Sequence, residues 1–251
     1  MQQLHPTLHP AELTALYAGL TLPTPQGDGG WVALCMVSSL DGAAAVEGRS
    51  GGLGGEADRL ALSRLRDATD AVLVGAATVR EEGYGPLTGN ERRRADRRAR
   101  GLAEVPRLAI VTRSGDLDPE AAAFSDEAQR PLVLATASGA EVARPRLGER
   151  ADVVALGEDE VEPRDALAHL ASLGLRRVVC EGGPQLAAQM LAQDLVDEVF
   201  LTLAPVAVAG AAPRIAEQPG TEVTRRMRLV SLWEHDGELF LRYRHHRHGE
   251  P

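Results

Sequence analysis

The chain has 251 residues, 44% of them hydrophobic but only 3% aromatic. Its core must therefore be built from Ala, Leu and Val, which suits parallel strands under helices better than an aromatic-rich β-sandwich. The formal net charge of −9 argues against nucleic acid as a main partner, because a polyanion needs a basic footprint.

Residues 1–30 read as an N-terminal extension, and 31–251 as a single domain. Within the extension, "HPAELTALYAGL" (His9–Leu20) reads as a short helix entered through Pro10, and "TLPTPQGDGG" as a loop. "WVALCMV" (Trp31–Val37) is a continuous apolar run, a candidate buried strand, followed by a long Gly-rich connection. "EADRLALSRLRDAT" reads as a helix and "DAVLVG" (Asp70–Gly75) as a second buried strand. "ERRRADRRARGL" is a charged helix or loop, solvated or else an arginine patch for a phosphate. Arg107–Thr112, Pro131–Thr136 and Asp152–Leu156 are further strands, each followed by polar turn residues. Pro163–Gly174 is a helix with proline at its start and glycine at its end. "RRVVCE", "PQLAAQMLAQ" and "VDEVFLTLAP" give strand, helix and strand. "MRLVSLWEHDGELFLRYRHH" is a hairpin about Asp236–Gly237. The order predicts an α/β fold: one mixed, mostly parallel central sheet flanked by helices, with a C-terminal antiparallel hairpin.

No apolar run approaches the roughly 18 residues of a membrane span, and the N-terminus lacks a basic region and an apolar signal core. No membrane partner is expected. Cys35 and Cys180 lie in apolar runs and read as free thiols in a reducing cytoplasm. His245, His246 and His248 lie in the tail without an acid or Cys partner at ligand spacing, so no metal is expected.

In open α/β sheets ligands bind at the carboxyl ends of the strands. The residues just after each strand are therefore the candidates. "EGGPQ" (Glu181–Gln185) places Gly182 and Gly183, which permit close backbone approach, before Pro184, which suits a first helical turn. The N–H groups that follow would suit a pyrophosphate. "GAATV", with Gly75, Ala76, Thr78 and Val79, is a second such turn. Each is open to a bland reading as a tight, packed turn, and neither is a G-x-G-x-x-G fingerprint. "TRSG" sets Arg113 between the hydroxyls of Thr112 and Ser114, a combination that can bind the 2′-phosphate distinguishing NADP from NAD, or can simply be an exposed turn. Asp41 and Glu181 each follow an apolar strand and are the candidate catalytic carboxylates, with turn capping as the alternative. Arg66 and Asp67 are either a surface pair or a pair facing the cleft.

"MVSSLDGAAAVEGRSG", "LSRLRDATDAVLVGAATVREEGYGPL", "LAIVTRSG" and "VVCEGGPQLAAQMLAQDLVDEVFLTLAPVAVAG" together resemble the reductase domain of bacterial riboflavin biosynthesis, the RibD C-terminal-like family, from about Trp31 to the hairpin. The resemblance implies a dihydrofolate reductase-like fold and NADPH as hydride donor. It implies that the cofactor meets Ser38, Thr78 with its turn, Glu82, Ser114 and the segment from Gly183 through Leu186 to Gln189. It places the substrate at Ser50, Arg66, Leu87 and Glu181. That substrate is a phosphoribosylamino-pyrimidine, such as 5-amino-6-(5-phosphoribosylamino)uracil, reduced at C1′ of its open-chain imine. It also implies a homodimer, and the strand "VFLTLAPVAVAG" with the hairpin is expected to leave an edge for it to cover. Two positions depart from the family pattern. No Trp follows Ser50, and the run "EEGYGPLTGN" carries an inserted Tyr84 and lacks a terminal Arg. Arg92, Arg93 or Arg94 would then have to reach the substrate phosphate. No H-x-E with P-C-x-x-C is present, so the chain is expected to reduce and not to deaminate. Two other readings stay open: a dihydrofolate or pterin reductase, with Asp67 or Glu181 facing the ring, and a non-catalytic NADP-binding protein.

Overall fold

The computed structural model describes residues 1–5, 9–25, 29–87, 89–220 and 222–246, so His248 lies outside the described residues. The chain divides into two compact units, Met1–Thr21 with Val32–Leu65 and Cys180–Pro251, and Leu22–Trp31 with Arg66–Val179.

The first unit contains β1 (Gln2–His5), β2 (His9–Pro10), β3 (Trp31–Ser38) and most of α1 (Glu56–Asp67). Along α1 the buried stripe is Ala57, Ala61 and Leu65, four residues apart, the spacing of one helix face. The expected helix over His9–Leu20 does not form. β2 pairs with β1, β1 pairs with β10 (Met227–His235), and only one 3-10 turn, Leu13–Ala15, remains. Tyr17 and Gly19 adopt positive φ of 52° and 67°, which ends any right-handed run. Residues expected as an extension are therefore woven into the sheet.

In the same unit β9 (Glu198–Leu203) runs parallel to β3, while β10 and β11 (Glu238–His245) form the hairpin, with β11 antiparallel to β9. Asp236 and Gly237 have φ of 50° and 84°, as the two central residues of a tight hairpin turn require. The expectation of an open edge at β9 is corrected. β9 lies between β11 and β3, and the order is β2-β1-β10-β11-β9-β3. What the alternation leaves half-exposed is a face. Leu203, Leu201 and Val199 stand opposite Leu239, Leu241 and Tyr243, all half-exposed, while Phe200 and Phe240 on the other face are buried.

The second unit contains β4 (Ala71–Gly75), α2 (Ala76–Glu82), α3 (Glu91–Ala99), β5 (Arg107–Thr112), β6 (Leu132–Ala135), α4 (Ala137–Leu147), β7 (Asp152–Ala155), α5 (Pro163–Ser172) and β8 (Arg177–Cys180), whose last residue falls in the first unit. Strands β4 to β7 are parallel neighbours in sequence order, with β8 beside β4. β4, β5 and β6 are almost wholly buried apolar runs, as strands covered on both faces must be. α4 is a helix the polar composition after Thr136 conceals. The α/β class holds, with parallel strands flanked by helices and a C-terminal antiparallel hairpin.

Candidate active site

In the first unit, β8 ends at buried Cys180 and hands over to Glu181, which is also buried. Burial pushes the Cys180 thiol up to about 12, so it stays protonated and unreactive near neutral pH. Gly182 takes φ +89°, and a Cβ there would meet Sδ of Met36, on β3, at 3.3 Å. This turn needs glycine on two counts, conformation and space. Gly183 is the N-cap residue of α6 (Pro184–Ala192), with no side chain capping it, and Pro184 opens the first turn. The N-terminal N–H groups of α6, those of Gln185 and Leu186 included, thus receive no side-chain acceptor. This is the structural condition for holding an anion there. Ser38, at the end of β3, is buried, and its hydroxyl donates to the Ser39 carbonyl at 2.9 Å.

Asp41 is not placed as a desolvated acid. It is exposed, and its carboxylate accepts from the Ser39 hydroxyl (2.5 Å) and the N–H groups of Val208 (3.0 Å) and Ala209 (2.7 Å). The Ser39 hydrogen bond, followed by the two backbone ones, holds its carboxyl well below the usual carboxylate range. A group so held has no proton to donate near neutral pH. Its visible work is to tie the segment after β3 to the segment after β9. Ser50 opens a 3-10 turn, and Gly55 a few residues on donates to Oε1 of Glu238 at 2.8 Å.

In the second unit, Gly75 ends β4 and serves as N-cap residue of α2, again without a side-chain cap. Ala76 and Val79 face the core, while Thr78 and Glu82 are half-exposed. Gly75 is paired with Val111, so the turn at Thr112 lies at the tip of the adjacent strand. The "TRSG" turn is locked by close contact with α4. A Cβ on Gly115 would fall 1.8 Å from the Gly139 carbonyl oxygen, and one on Gly139 would fall 2.2 Å from that of Arg113. Thr112 Oγ1 accepts from Gly115 N–H, and the Thr136 hydroxyl donates to the Arg113 carbonyl at 2.7 Å. Arg113 and Ser114 are left exposed on a rigid mount. The turns after β4 and β5 lie at adjacent strand tips and adjoin each other.

The remaining candidates in this unit are placed differently. Asp67 is buried and chelated by Arg93, with Nε–Oδ2 and Nη2–Oδ1 both 2.8 Å, and its carbonyl accepts from Arg100. A carboxylate so occupied is committed to the fold. Arg66 is half-exposed, and its Cζ lies over the Tyr84 ring, 5.5 Å from the centroid. Leu87 lines a cavity of about 440 Å³ with Asp70, Pro106 and Arg107, at the starts of β4 and β5, and no turn residue lines that cavity. The arginine segment is neither fully solvated nor an open patch. Arg97 is 1% exposed and donates to the carbonyls of Ala103, Arg66 and Thr69. Of the arginines expected to reach a phosphate, Arg93 is spent on Asp67 and Arg94 donates to the Gly89 carbonyl. Arg97 and Tyr84 are the contributors that the residue-by-residue reading missed. Nothing in local spacing reveals that an arginine 28 and 31 residues on will cap another helix. Among the described residues no three His, Cys, Asp or Glu gather as metal ligands would, and no helix is long and apolar enough to cross a membrane.

The 2,5-diamino-6-ribosylamino-4(3H)-pyrimidinone 5′-phosphate reductase of Methanothermobacter thermautotrophicus is 32% identical over 181 residues, 72% of this chain and 80% of that protein. The protein of the same name from Archaeoglobus fulgidus is 28% identical over 84% of this chain and 95% of its own length. A pyrimidine reductase-like protein from Corynebacterium diphtheriae superposes with a TM-score of 0.81 at 27% identity, covering 94% of this chain and 98% of that one. A Saccharomyces riboflavin biosynthesis reductase shares the fold at a TM-score of 0.65 and 18% identity. Residues 30–241 match the RibD C-terminal domain family, and the chain, with the strand-tip turns just described, belongs to it.

Proposed function

We propose that this chain is an NADPH-dependent reductase acting in riboflavin biosynthesis on a phosphoribosylamino-pyrimidine, of the 5-amino-6-(5-phosphoribosylamino)uracil or the 2,5-diamino-pyrimidinone type. Residues 31–251 form the reductase domain in this reading, which the family match over 30–241 supports. The observation that carries it is the uncapped, glycine-bounded start of α6 directly after buried Glu181.

Reduction of an imine asks the protein for positioning and water exclusion, not for a nucleophile. The cofactor, when bound, supplies the hydride. In the first unit Gly183, Gln185 and Leu186 offer backbone N–H groups at the start of α6, where Pro184, which has none, opens the first turn; in the second unit Gly75 to Val79 do so at the start of α2, and each start suits a phosphate. Arg113 and Ser114 suit a 2′-phosphate through charge-assisted hydrogen bonds. Ser38 and Glu82 complete the expected cofactor contacts. On the substrate side, Glu181 accepts hydrogen bonds from the pyrimidine, Ser50 donates a hydroxyl, and Arg66 pairs with the anion. Asp41 acts by fixing the segment after β9 and does not donate a proton.

The same reading includes a homodimer, now through a face and not an edge. Leu201, Leu203, Leu239 and Leu241 leave a half-exposed apolar patch that a second copy would cover isologously. We place the protein in the cytoplasm, where its two free cysteines stay reduced. Loss of NADPH absorbance with each pyrimidine phosphate, and with dihydrofolate, tests the function. Turnover of a pyrimidine phosphate supports it. Turnover of dihydrofolate alone, or NADPH binding without any turnover, overturns it.

A further inference from the structure

Arg66 is held at two levels. Its carbonyl accepts from Nη1 of buried Arg97 at 2.8 Å and from the Thr69 hydroxyl at 3.1 Å. The next residue, Asp67, is gripped by Arg93 and Arg100. Two arginines of α3, Arg93 and Arg97, and Arg100 at its C-terminal cap therefore hold the stretch on which Arg66 stands. The side chain is held separately, over the ring of Tyr84. Tyr84 is in turn set by the end of α2. Gly83 takes a left-handed φ of 65°, and the N–H groups of Gly83 and Tyr84 both donate to the Val79 carbonyl, an arrangement that fixes the residue after the helix as firmly as the helix itself. The helix bearing Thr78 and Glu82 thus ends in the ring that carries Arg66.

We propose that Tyr84 is a positioning residue that sets specificity for a phosphate-bearing substrate. Its ring lies beneath the Arg66 guanidinium, with Cζ 5.5 Å from the ring centroid, and so holds the fork where it can meet the phosphate. The inference rests on the reading of Arg66 given above. A guanidinium binds phosphate through two parallel N–H donors in its own plane. A ring beneath the cation restricts rotations that would otherwise be lost on binding while leaving N–H donors to reach the phosphate. Lysine, a point charge without a plane, could not use the same support.

The test compares wild type, Tyr84→Phe, Tyr84→Ala and Tyr84→Leu, each also in an Arg66→Lys background. It reads KM and kcat for the pyrimidine phosphate, and the calorimetric Kd of ribose 5-phosphate. Loss of the ring, by Ala or by the bulk-preserving Leu, is expected to raise KM and Kd about tenfold and to leave kcat within about twofold. Phe, which keeps the ring, should restore both constants. With Lys at position 66 the identity of residue 84 should make little difference. Unchanged KM and Kd in the Ala and Leu variants would overturn the proposal. So would a Phe variant as impaired as the Ala one, or a fall in kcat and melting temperature without a change in KM. Should no pyrimidine phosphate be reduced while ribose 5-phosphate binding follows the ring as stated, the reductase reading fails and the positioning role stands. Should wild type bind neither ligand, both fall.

Discussion

At the residue scale, charge and hydrogen bonding decide what each candidate can do. Asp41 and Glu181 look alike in sequence, each an acid after an apolar run. The structure separates them by partner and burial, which no local pattern encodes. The lowered Asp41 carboxyl gives a signed prediction. Its contribution is complete above the ordinary carboxylate range and disappears only as pH falls through its depressed value. In NMR titrations the amide shifts of Val208 and Ala209 should stay constant across the ordinary carboxylate range and move only at more acid pH. Movement within the ordinary range would remove Asp41 as the anchor. Asp58 has the opposite sign. Burial is the main cause that raises its carboxyl, with Glu238 adding to it and a Thr202 hydrogen bond opposing it. Stability from this group is complete below the ordinary carboxylate range and is lost as pH rises through the raised value. Asp58→Asn should therefore melt above wild type at neutral pH, with the gap closing on acidification. A gap independent of pH would contradict the assignment. Arg113→Ala should weaken NADPH binding by about 1.5–3 kcal/mol, the range for a charged hydrogen bond, and leave NADH nearly unchanged by calorimetry. Equal losses would take Arg113 out of the 2′-phosphate role.

At the element scale, the strands from β3 onward were legible, β1 and β2 were not, and two helices were not fully so. β3 to β6 and β8 stand out as continuous apolar runs, as strands covered on both faces do, and the hairpin by its Asp236–Gly237 turn between two apolar runs. α4 was hidden because Gly139 and Pro145 interrupt its pattern. Both have reasons: Gly139 lets the helix approach the Arg113 carbonyl, and Pro145 sits far enough along the helix that only one turn is affected. The His9–Leu20 segment shows the reverse error, helical composition overridden by pairing of β2 with β1 and by two left-handed residues. α3 was open to reading as a solvated segment or an arginine patch for a phosphate, yet Arg97 is buried, with desolvation lowering its guanidinium to about 10. Arg97→Met removes donors from three carbonyls and should cost about 3–5 kcal/mol in denaturant unfolding. A loss under about 1 kcal/mol, the usual worth of a surface contact, would show that α3 is not the clamp described.

At the scale of the whole molecule, the order of strands and helices carried the fold class, and the strand-tip motifs carried the family. What sequence could not carry was commitment: which carboxylates and guanidiniums the fold had already spent. Asp67 and Arg93 were plausible ligand contacts until each proved to be the other's partner. Assembly is a property of this scale too. Light scattering at micromolar concentration should find twice the 26.7 kDa chain mass, and Leu201→Lys with Leu241→Lys should halve it, whereas a monomeric wild type would dismiss the apolar face as an interface. The reductase reading itself is tested most directly by following the hydride. With NADPH deuterated at C4 of the nicotinamide and a phosphoribosylamino-pyrimidine as substrate, mass spectrometry and NMR of the product should find the deuterium on C1′ of a ribityl chain. Consumption of the cofactor with no label at C1′, or an unreduced ribosyl substrate, would contradict it.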